Sequence, residues 1–175
     1  MVKRMKKIFV GIILLALVGI VAFFGTPAQT QNEYLRIHIR ANSNAAVDQA
    51  VKYQVKDAVV DFMIPLLANC ETKAESIQTV ESNLSAIERV AETVLLQNGF
   101  SYCASALLNK EKFPTRSYGD LTLESGFYDA LILNLGTGTG DNWWCVVYPP
   151  LCFVNGGATT NIFKSRILEI INSII

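Results

Sequence analysis

The sequence predicts a two-layer α+β domain, with two long helices packed on a mostly antiparallel sheet and an N-terminal signal or anchor helix before it. Three observations predict this class: a period-two strand pattern at residues 34–40, helical apolar periodicity over residues 47–98, and short apolar runs between Gly, Pro and Asp beyond Gly99. The chain has 175 residues, of which 51% are apolar and 17% charged, so one packed core is expected.

The N-terminal segment is predicted to export the chain. Four basic residues at positions 3–7 precede an uncharged apolar stretch from Ile8 to Phe24, which is typical of an export signal whose basic end stays in the cytoplasm. The stretch is intermediate in length between a signal peptide and a spanning helix, so cleavage after Ala28 and retention as an anchor both stay open. Residues 1–28 are therefore a signal peptide or signal anchor, and residues 29–175 an exported domain.

The charge of the exported part argues against nucleic acid as a partner. Removing the four basic residues of the N-terminal segment from 15 leaves 11 against 15 acidic residues, a net charge of about minus four. Binding to phosphates requires clustered Lys and Arg, which this part of the chain lacks. A membrane contact is expected only through the N-terminal segment, if it is not cleaved.

The first strand and its turn come directly after the leader. Residues 34–40 alternate as a half-buried strand does, with Leu35, Ile37 and Ile39 on the apolar side and the polar residues on the other. Asn-Ser-Asn at positions 42–44 then provides turn and N-cap chemistry, which predicts a helix directly afterwards.

Two helices are predicted after this turn. The first should end at Pro65, and the second should run from a capping box between Thr72 and Glu75 to a left-handed C-cap at Asn98 and Gly99. The predicted apolar stripe of the first helix is Val47, Val51, Val55, Ala58 and Phe62, and that of the second is Ile77, Val80, Leu84, Ile87, Ala91 and Val94.

Three further strands and a final helix complete the prediction. The strands are Phe100 to Leu108, Phe127 to Leu135 and Trp143 to Tyr148. The last two are joined by the glycine-rich stretch from Gly136 to Asp141, whose length suits a hairpin. Ile162 to Ile175 is helix-like and either covers the core or touches the membrane surface.

The four cysteines, Cys70, Cys103, Cys145 and Cys152, all lie in the exported part, where disulfides persist. Three pairings are possible. A bridge between Cys145 and Cys152 would close the turn that contains two prolines, although some of the cysteines could instead be buried free thiols. The sequence has no Cys-x-x-Cys pair, so no metal site is predicted.

No catalytic group or cofactor is predicted either. The glycine-rich stretch is followed by strand-like residues and not by a helix with a Lys, so it does not fit a phosphate loop. Asp120, Glu124, Asp129 and Asp141 suit turns better than paired catalytic carboxylates. An exported hydrolase acting on peptidoglycan is nevertheless the alternative function.

The single histidine and the adjacent tryptophans are the other candidates for function. His38 could act as a base or a pH-sensitive contact, but we expect a hydrogen-bonded surface residue at a strand edge. Trp143 and Trp144 should point to opposite faces of their strand, so at least one belongs to the core. The other, with Tyr148 and Phe153, would form an exposed aromatic anchor for a partner, unless both are core residues.

Three segments together resemble the stage II sporulation protein R family. They are Leu35 to Asn44 (LRIHIRANSN), Asp48 to Phe62 with its QAVKY core, and Phe113 to Phe153, which contains FPTRSYGD, GFYDAL and GDNWWCVVYPPLCF. Long irregular motifs of this kind rarely recur by chance, so the resemblance is specific. Residues 70–98 resemble the family only in pattern, and the chain after Phe153 adds nothing.

The resemblance implies a non-enzymatic signalling role in sporulation. Family members are made in the forespore, exported into the space between the two membranes, and needed there to activate a membrane-embedded aspartic protease of the mother cell. That protease removes the pro-sequence of sigma factor E. The family supplies no catalytic residues, so the site residues are candidates for partner binding only: His38, Arg40, Asn42, Asn44, Arg116, Tyr118, Trp143 and Trp144.

Overall fold

The computed structural model describes residues 33–119 and 121–151, which form a four-stranded sheet, a two-stranded hairpin and three helices. The predicted signal segment and the predicted C-terminal helix lie outside these residues. The strands are β1 (Leu35–Arg40), β2 (Ala104–Phe113), β3 (Arg116–Tyr118), β4 (Leu121–Leu123), β5 (Gly126–Leu135) and β6 (Asn142–Tyr148). The helices are α1 (Ala46–Leu67), α2 (Lys73–Ser82) and α3 (Leu84–Gln97).

The main sheet is mixed, with strand order β2-β5-β1-β6. β1 runs parallel to β5 and antiparallel to β6, while β2 and β5 are antiparallel. The α+β class is therefore confirmed, but the predicted hairpin between the last two strands is wrong. β5 and β6 lie on either side of β1, so the glycine-rich stretch crosses the end of β1 and does not turn back on its neighbour.

The three helices cover one side of this sheet, called here the helix face. Leu35, Ile37 and Ile39 of β1 are buried there among apolar residues of all three helices, as their alternation predicts. From Leu131 onward, every second residue of β5 joins the same core, as do Cys145 and Val147 of β6. None of the helices formed by residues 33–119 and 121–151 is long and apolar enough to cross a membrane.

Helix α1 buries part of the predicted stripe, since Val51 and Val55 are core residues and Phe62 packs against the core. Its core residues recur every four positions: Val51, Val55, Val59, Met63 and Leu67. Val47, predicted to be buried, is 63% exposed. Pro65 lies inside the last turn and does not end the helix, because at this position it removes a single backbone donor and the turn still closes through Ala68 N–H donating to Ile64 O.

The second predicted helix is divided in two at Asn83. The backbone leaves helical geometry there (φ −115°, ψ 8°), and the Asn83 amide donates to Thr79 O at 2.8 Å. Asn competes well for backbone partners, which lowers its helix propensity. The predicted start is confirmed, since Thr72 Oγ1 accepts from Glu75 N. All six predicted stripe residues are buried in the helix-face core or pack against it.

The end of α3 is also as predicted. Gly99 has φ +80°, and its N–H donates to Leu96 O while the N–H of Phe100 donates to Leu95 O, which is the Schellman arrangement. Three residues then pass before β2 begins at Ala104, so this strand starts and ends later than predicted.

The opposite side of the sheet carries the β3–β4 hairpin and is called here the hairpin face. Leu123 of β4 is buried against Phe113, Tyr128 and Val146. The polar side of β1 is thereby covered, so the prediction of a half-buried strand with one solvated side is wrong. β1 is central in the sheet, and the two strands beside it, together with the hairpin, leave Arg36 with no exposed area.

Candidate functional site

The most unusual residues of the described chain are charged and polar side chains buried on the hairpin face. Arg36, His38 and Arg40 alternate along β1 with the apolar residues of the helix face, and strand geometry therefore sends all three to the other side. They meet residues of β2, β3, β5 and β6. We call the group the Arg36–His38 cluster, and its members are Arg36, His38, Arg40, Glu111, Phe113, Tyr118, Tyr128 and Trp144.

Glu111 of β2 connects two of the basic residues of β1. One carboxylate oxygen lies 2.7 Å from His38 Nδ1, and the other accepts from Arg40 Nη2. Arg40 also donates through Nη1 to Asn134 Oδ1 at 3.3 Å. Because a carboxylate oxygen accepts hydrogen bonds, Nδ1–H of His38 is the donor in this contact. Both oxygens of Glu111 are therefore occupied.

His38 is held between this carboxylate and an aromatic ring. Trp144, its partner in the β1–β6 register, stacks on the imidazole with centroids 3.6 Å apart and an interplanar angle of 18°. Phe113 meets Trp144 edge-on at 4.7 Å. The expectation that His38 is hydrogen-bonded is confirmed, but the surface position at a strand edge is wrong, because the residue is 2% exposed on a central strand.

Arg36 is enclosed by aromatic rings. Its guanidinium carbon lies 4.2 Å from the centroid of Phe113 and 4.8 Å from that of Tyr128, which are cation–π distances. Nη2 donates to the Tyr118 hydroxyl at 2.7 Å. Burial raises the pKa of Tyr128, and the nearby Arg36 opposes that shift. In residues 33–119 and 121–151, Nε and Nη1 of Arg36 and Nε2 of His38 have no hydrogen-bond partner.

Two predicted contact residues, Asn42 and Asn44, instead hold the crossing loop. Asn42 Oδ1 accepts from Thr137 N at 3.0 Å, and Asn44 Oδ1 accepts from Asp141 N at 2.6 Å. Neither caps α1, whose N-cap residue is Ala45 and receives no side-chain cap. Their amide oxygens are thus used inside the domain, where they secure the connection between β5 and β6.

Two buried charged residues of α1 support this region, Lys52 at the crossing loop and Asp48 at the turn after β1. Lys52 donates from Nζ to Asp141 O at 2.9 Å, and burial lowers the pKa of this lysine. Asp48 accepts from Asn42, Ser43 and Tyr102. Burial by itself would raise the pKa of Asp48, but these three hydrogen bonds outweigh it and hold the pKa below its ordinary value.

The two tryptophans point to opposite faces, as predicted. Trp143 packs against the helix-face core and Trp144 belongs to the Arg36–His38 cluster. Each is partly exposed, and Lys56 Nζ lies 5.7 Å from the Trp143 ring. Tyr148 is not part of an exposed anchor: it is buried, and its hydroxyl donates to Glu71 O at 2.6 Å. Phe153 lies outside the described residues.

The remaining predicted residues are two residues of β3 and the cysteines. Arg116 is exposed on β3, while Tyr118 of the same strand reaches the cluster. Cys70 and Cys103 are free thiols, and Cys145 is disulfide-bonded. Cys152 lies beyond the part of the chain that is described, so the bridge between Cys145 and Cys152 stays a prediction.

Two of the four carboxylates considered for hydrolysis, Asp129 and Asp141, lie at opposite ends of β1. Asp129 pairs with Leu35 at one end of β1 and binds Lys73, whereas Asp141 precedes Asn142, which pairs with Arg40 at the other end. Among residues 33–119 and 121–151, no group of three or more His, Cys, Asp or Glu side chains is placed to hold a metal ion.

Four members of the cluster are absent from the predicted site residues: Arg36, Glu111, Phe113 and Tyr128. Arg36 lies within the first quoted motif, but alternation alone suggested a solvated side for it. Glu111 lies between two lysines in a stretch that reads as exposed loop, three residues beyond the predicted end of β2. The only available signal was Phe113, an apolar residue that returns after this polar stretch.

Fold and cluster together define a small α+β domain with buried basic residues at its centre. A family model described as stage II sporulation protein R matches residues 31–158. This range includes all the described residues. The chain therefore belongs to the stage II sporulation protein R family.

One curated relative illustrates the similarity. It is stage II sporulation protein R of Bacillus subtilis (strain 168), which is 33% identical over 129 residues, or 74% of this chain. The aligned region spans 58% of that relative's length. No solved structure matches the chain. Family membership supports a role in sporulation.

Proposed function

We propose that this chain is an exported signalling protein that activates a membrane-embedded aspartic protease of the mother cell, and thereby triggers processing of pro-sigma factor E during sporulation. The observation that carries the proposal is the family match over residues 31–158. It includes the β1 motif and the β6 motif, which lie side by side in the sheet. The similarity to stage II sporulation protein R of Bacillus subtilis supports the link to sporulation.

Export is the first step of the proposed function. The basic residues before Ile8 and the apolar stretch to Phe24 support it, since this pattern directs a chain across a membrane. The domain would then act in the space between the two membranes, either secreted or held by its N-terminal segment.

Binding, and not catalysis, is the proposed mode of action. The polar groups of the Arg36–His38 cluster are bonded mainly to one another, and no Ser or Cys of the described residues forms a hydrogen bond with His38. A binding protein can activate an enzyme only through its differential affinity for the active and inactive states. The domain would therefore favour the active state of the protease by contacting its exported surface.

The two tryptophans offer a test of which face makes that contact. Because Trp143 and Trp144 lie on opposite faces and are each partly exposed, one substitution on each side examines one surface at a time. Partly exposed aromatic residues commonly dominate protein interfaces. We expect one of the two faces to carry the signal.

The experiment is co-expression of the chain with the protease and pro-sigma factor E in a host that does not sporulate, with removal of the pro-sequence as the readout. Trp143→Ala or Trp144→Ala should abolish processing while the variant is still folded and exported. Leu96→Ala is the matched control, because Leu96 is an apolar residue of α3 that is 70% exposed. Normal processing by both tryptophan variants would exclude an aromatic contact, and absence of processing by the unaltered chain would contradict the proposed function.

A further inference from the structure

Arg36 is a fully buried cation without a carboxylate partner in the described chain. No ion pair among residues 33–119 and 121–151 includes it, and Nε and Nη1 of its guanidinium lack acceptors. Glu111 binds His38 and Arg40 and lies within ion-pair distance of neither free nitrogen of Arg36. Buried charges in proteins are normally paired, so this arrangement leaves a strong donor group unsatisfied.

The surroundings of Arg36 stabilise a cation but do not supply the missing acceptors. Phe113 and Tyr128 present ring faces to the guanidinium, and Nη2 donates to the Tyr118 hydroxyl. Nε2 of His38 also lacks a hydrogen-bond partner within the described residues. Since residues two apart on a strand share a side, His38 and Arg36 present these free polar atoms to the same face.

Within the described residues, the hairpin that covers Arg36 is not paired with any strand of the main sheet. β3 and β4 pair only with each other and add no strand to the main sheet. Tyr118 of β3 joins the hairpin to Arg36 through one hydrogen bond, and Leu123 of β4 is the buried apolar contact between the hairpin and the sheet. If the hairpin moves aside, the Tyr118 hydroxyl leaves Nη2, and all three guanidinium nitrogens become available to one ligand.

We propose that Arg36, with His38 beside it, is a binding site for the carboxylate of an acidic side chain on a protein partner, which enters when the β3–β4 hairpin is displaced. A guanidinium binds a carboxylate through two parallel hydrogen bonds, and the aromatic rings around it exclude water and strengthen that contact. The assignment to a protein partner rests on the proposed function. The carboxylate chemistry rests on the cluster itself.

The test uses the full chain in nonionic detergent, labelled with ¹⁵N-histidine. His38 is the single histidine, so its imidazole resonances report on the site without overlap. The probes are a tripeptide with a central glutamate, blocked at both ends, its glutamine counterpart, and sodium acetate. We expect a saturable shift with the glutamate peptide, none with the glutamine peptide, and weaker binding of acetate.

Variants separate the site from general effects on the fold. Tyr118→Phe removes the acceptor that holds the hairpin, so the glutamate peptide should bind roughly three- to tenfold more tightly. Arg36→Lys should abolish binding, and the Tyr118 variant keeps the test valid if the Arg36 variant does not fold. Arg116→Gln removes an exposed cation of the same hairpin and should leave binding unchanged.

Four results would overturn the proposal. The first is the absence of a saturable shift in both the unaltered chain and Tyr118→Phe. The second and third are equal binding of the glutamine peptide, and binding of acetate as tight as that of the glutamate peptide. The fourth uses an additional variant, Asp120→Asn, and is tighter peptide binding by this variant without any gain in Tyr118→Phe. The last would show that the chain supplies its own carboxylate from a residue outside the described ranges. Carboxylate binding by a chain that does not trigger pro-sequence removal would instead contradict the proposed function alone.

Discussion

At the residue scale, the carboxylate of Glu111 binds two of the three basic residues on the hairpin face of β1. Glu111 has 18% of its side chain exposed and contacts both His38 and Arg40, so its charge is only partly screened by solvent. Removing that charge leaves Arg40 without its acidic partner and His38 Nδ1 with a weaker acceptor.

Glu111→Gln should therefore destabilise the domain. We expect the free energy of unfolding to fall by about 1–3 kcal/mol, the usual cost of leaving buried polar groups poorly paired. Chemical denaturation followed by tryptophan fluorescence measures this loss. The control is Asp57→Asn, which removes the exposed partner of Lys56 and should change stability by less than about 1 kcal/mol. Equal losses in the two variants would show that the Glu111 contacts add no stability.

Asp48 gives a prediction about pH. Its folded-state pKa is held below the ordinary 3.8 by hydrogen bonds, so its stabilising contribution is complete above that value and is lost as pH falls through the folded pKa. Asp48→Asn should lower stability at pH 7 and flatten the decline of stability below about pH 4. Denaturation curves between pH 2 and pH 7 test this. An unchanged acid profile would contradict the hydrogen-bonded state of Asp48.

The side of β1 on which Arg36 and His38 lie was predictable from the sequence, but the burial of their side chains was not. The alternation that separates Ile37 from His38 is a local property of the sequence. The cover over His38 and Arg36 comes from a hairpin some 80 positions later in the chain, as the Arg36–Tyr118 separation of 82 shows. Local periodicity contains no information about such distant packing.

At the scale of elements, the crossing loop between β5 and β6 depends on close backbone contact. A Cβ atom on Gly140 would lie 2.3 Å from the backbone oxygen of Ser43, and Gly140 N–H donates to Ala41 O at 2.9 Å. The turn after β1 and the crossing loop are therefore packed backbone against backbone.

Gly140→Ala should force these two segments apart. We expect the free energy of unfolding to fall by roughly 1–3 kcal/mol, as for other overpacked sites. Gly99→Ala is the comparison, because no atom lies within 4 Å of its added Cβ and only the positive φ of +80° is unfavourable. Thermal unfolding of the two variants compares the costs. A loss in Gly140→Ala no larger than that in Gly99→Ala would contradict the close approach.

The helices show which boundaries a sequence can specify. The capping residue Thr72 and the terminal Gly99 are local signals, and both were predicted correctly. The break at Asn83 was missed because the apolar stripe continues across it in phase. Glycine-rich spacing suggested a hairpin, whereas the insertion of β1 between β5 and β6 is decided by long-range pairing.

At the scale of the whole molecule, the two faces of the main sheet bury different kinds of side chain. The helix face is an apolar core, and the hairpin face buries charge beneath a small hairpin. The proposed signal requires this domain to reach the far side of a membrane, which depends on the N-terminal segment and not on either face.

The most direct measurement compares the full chain with a full-length Leu15→Arg variant in the co-expression host. A charge in the centre of the apolar stretch costs about 2.5–3.5 kcal/mol of membrane insertion and should retain the domain in the cytosol. The unaltered chain should then remove the pro-sequence of sigma factor E, and Leu15→Arg should not, although it accumulates as folded protein. Equal processing by the retained variant would contradict the claim that the domain acts outside the membrane it crosses.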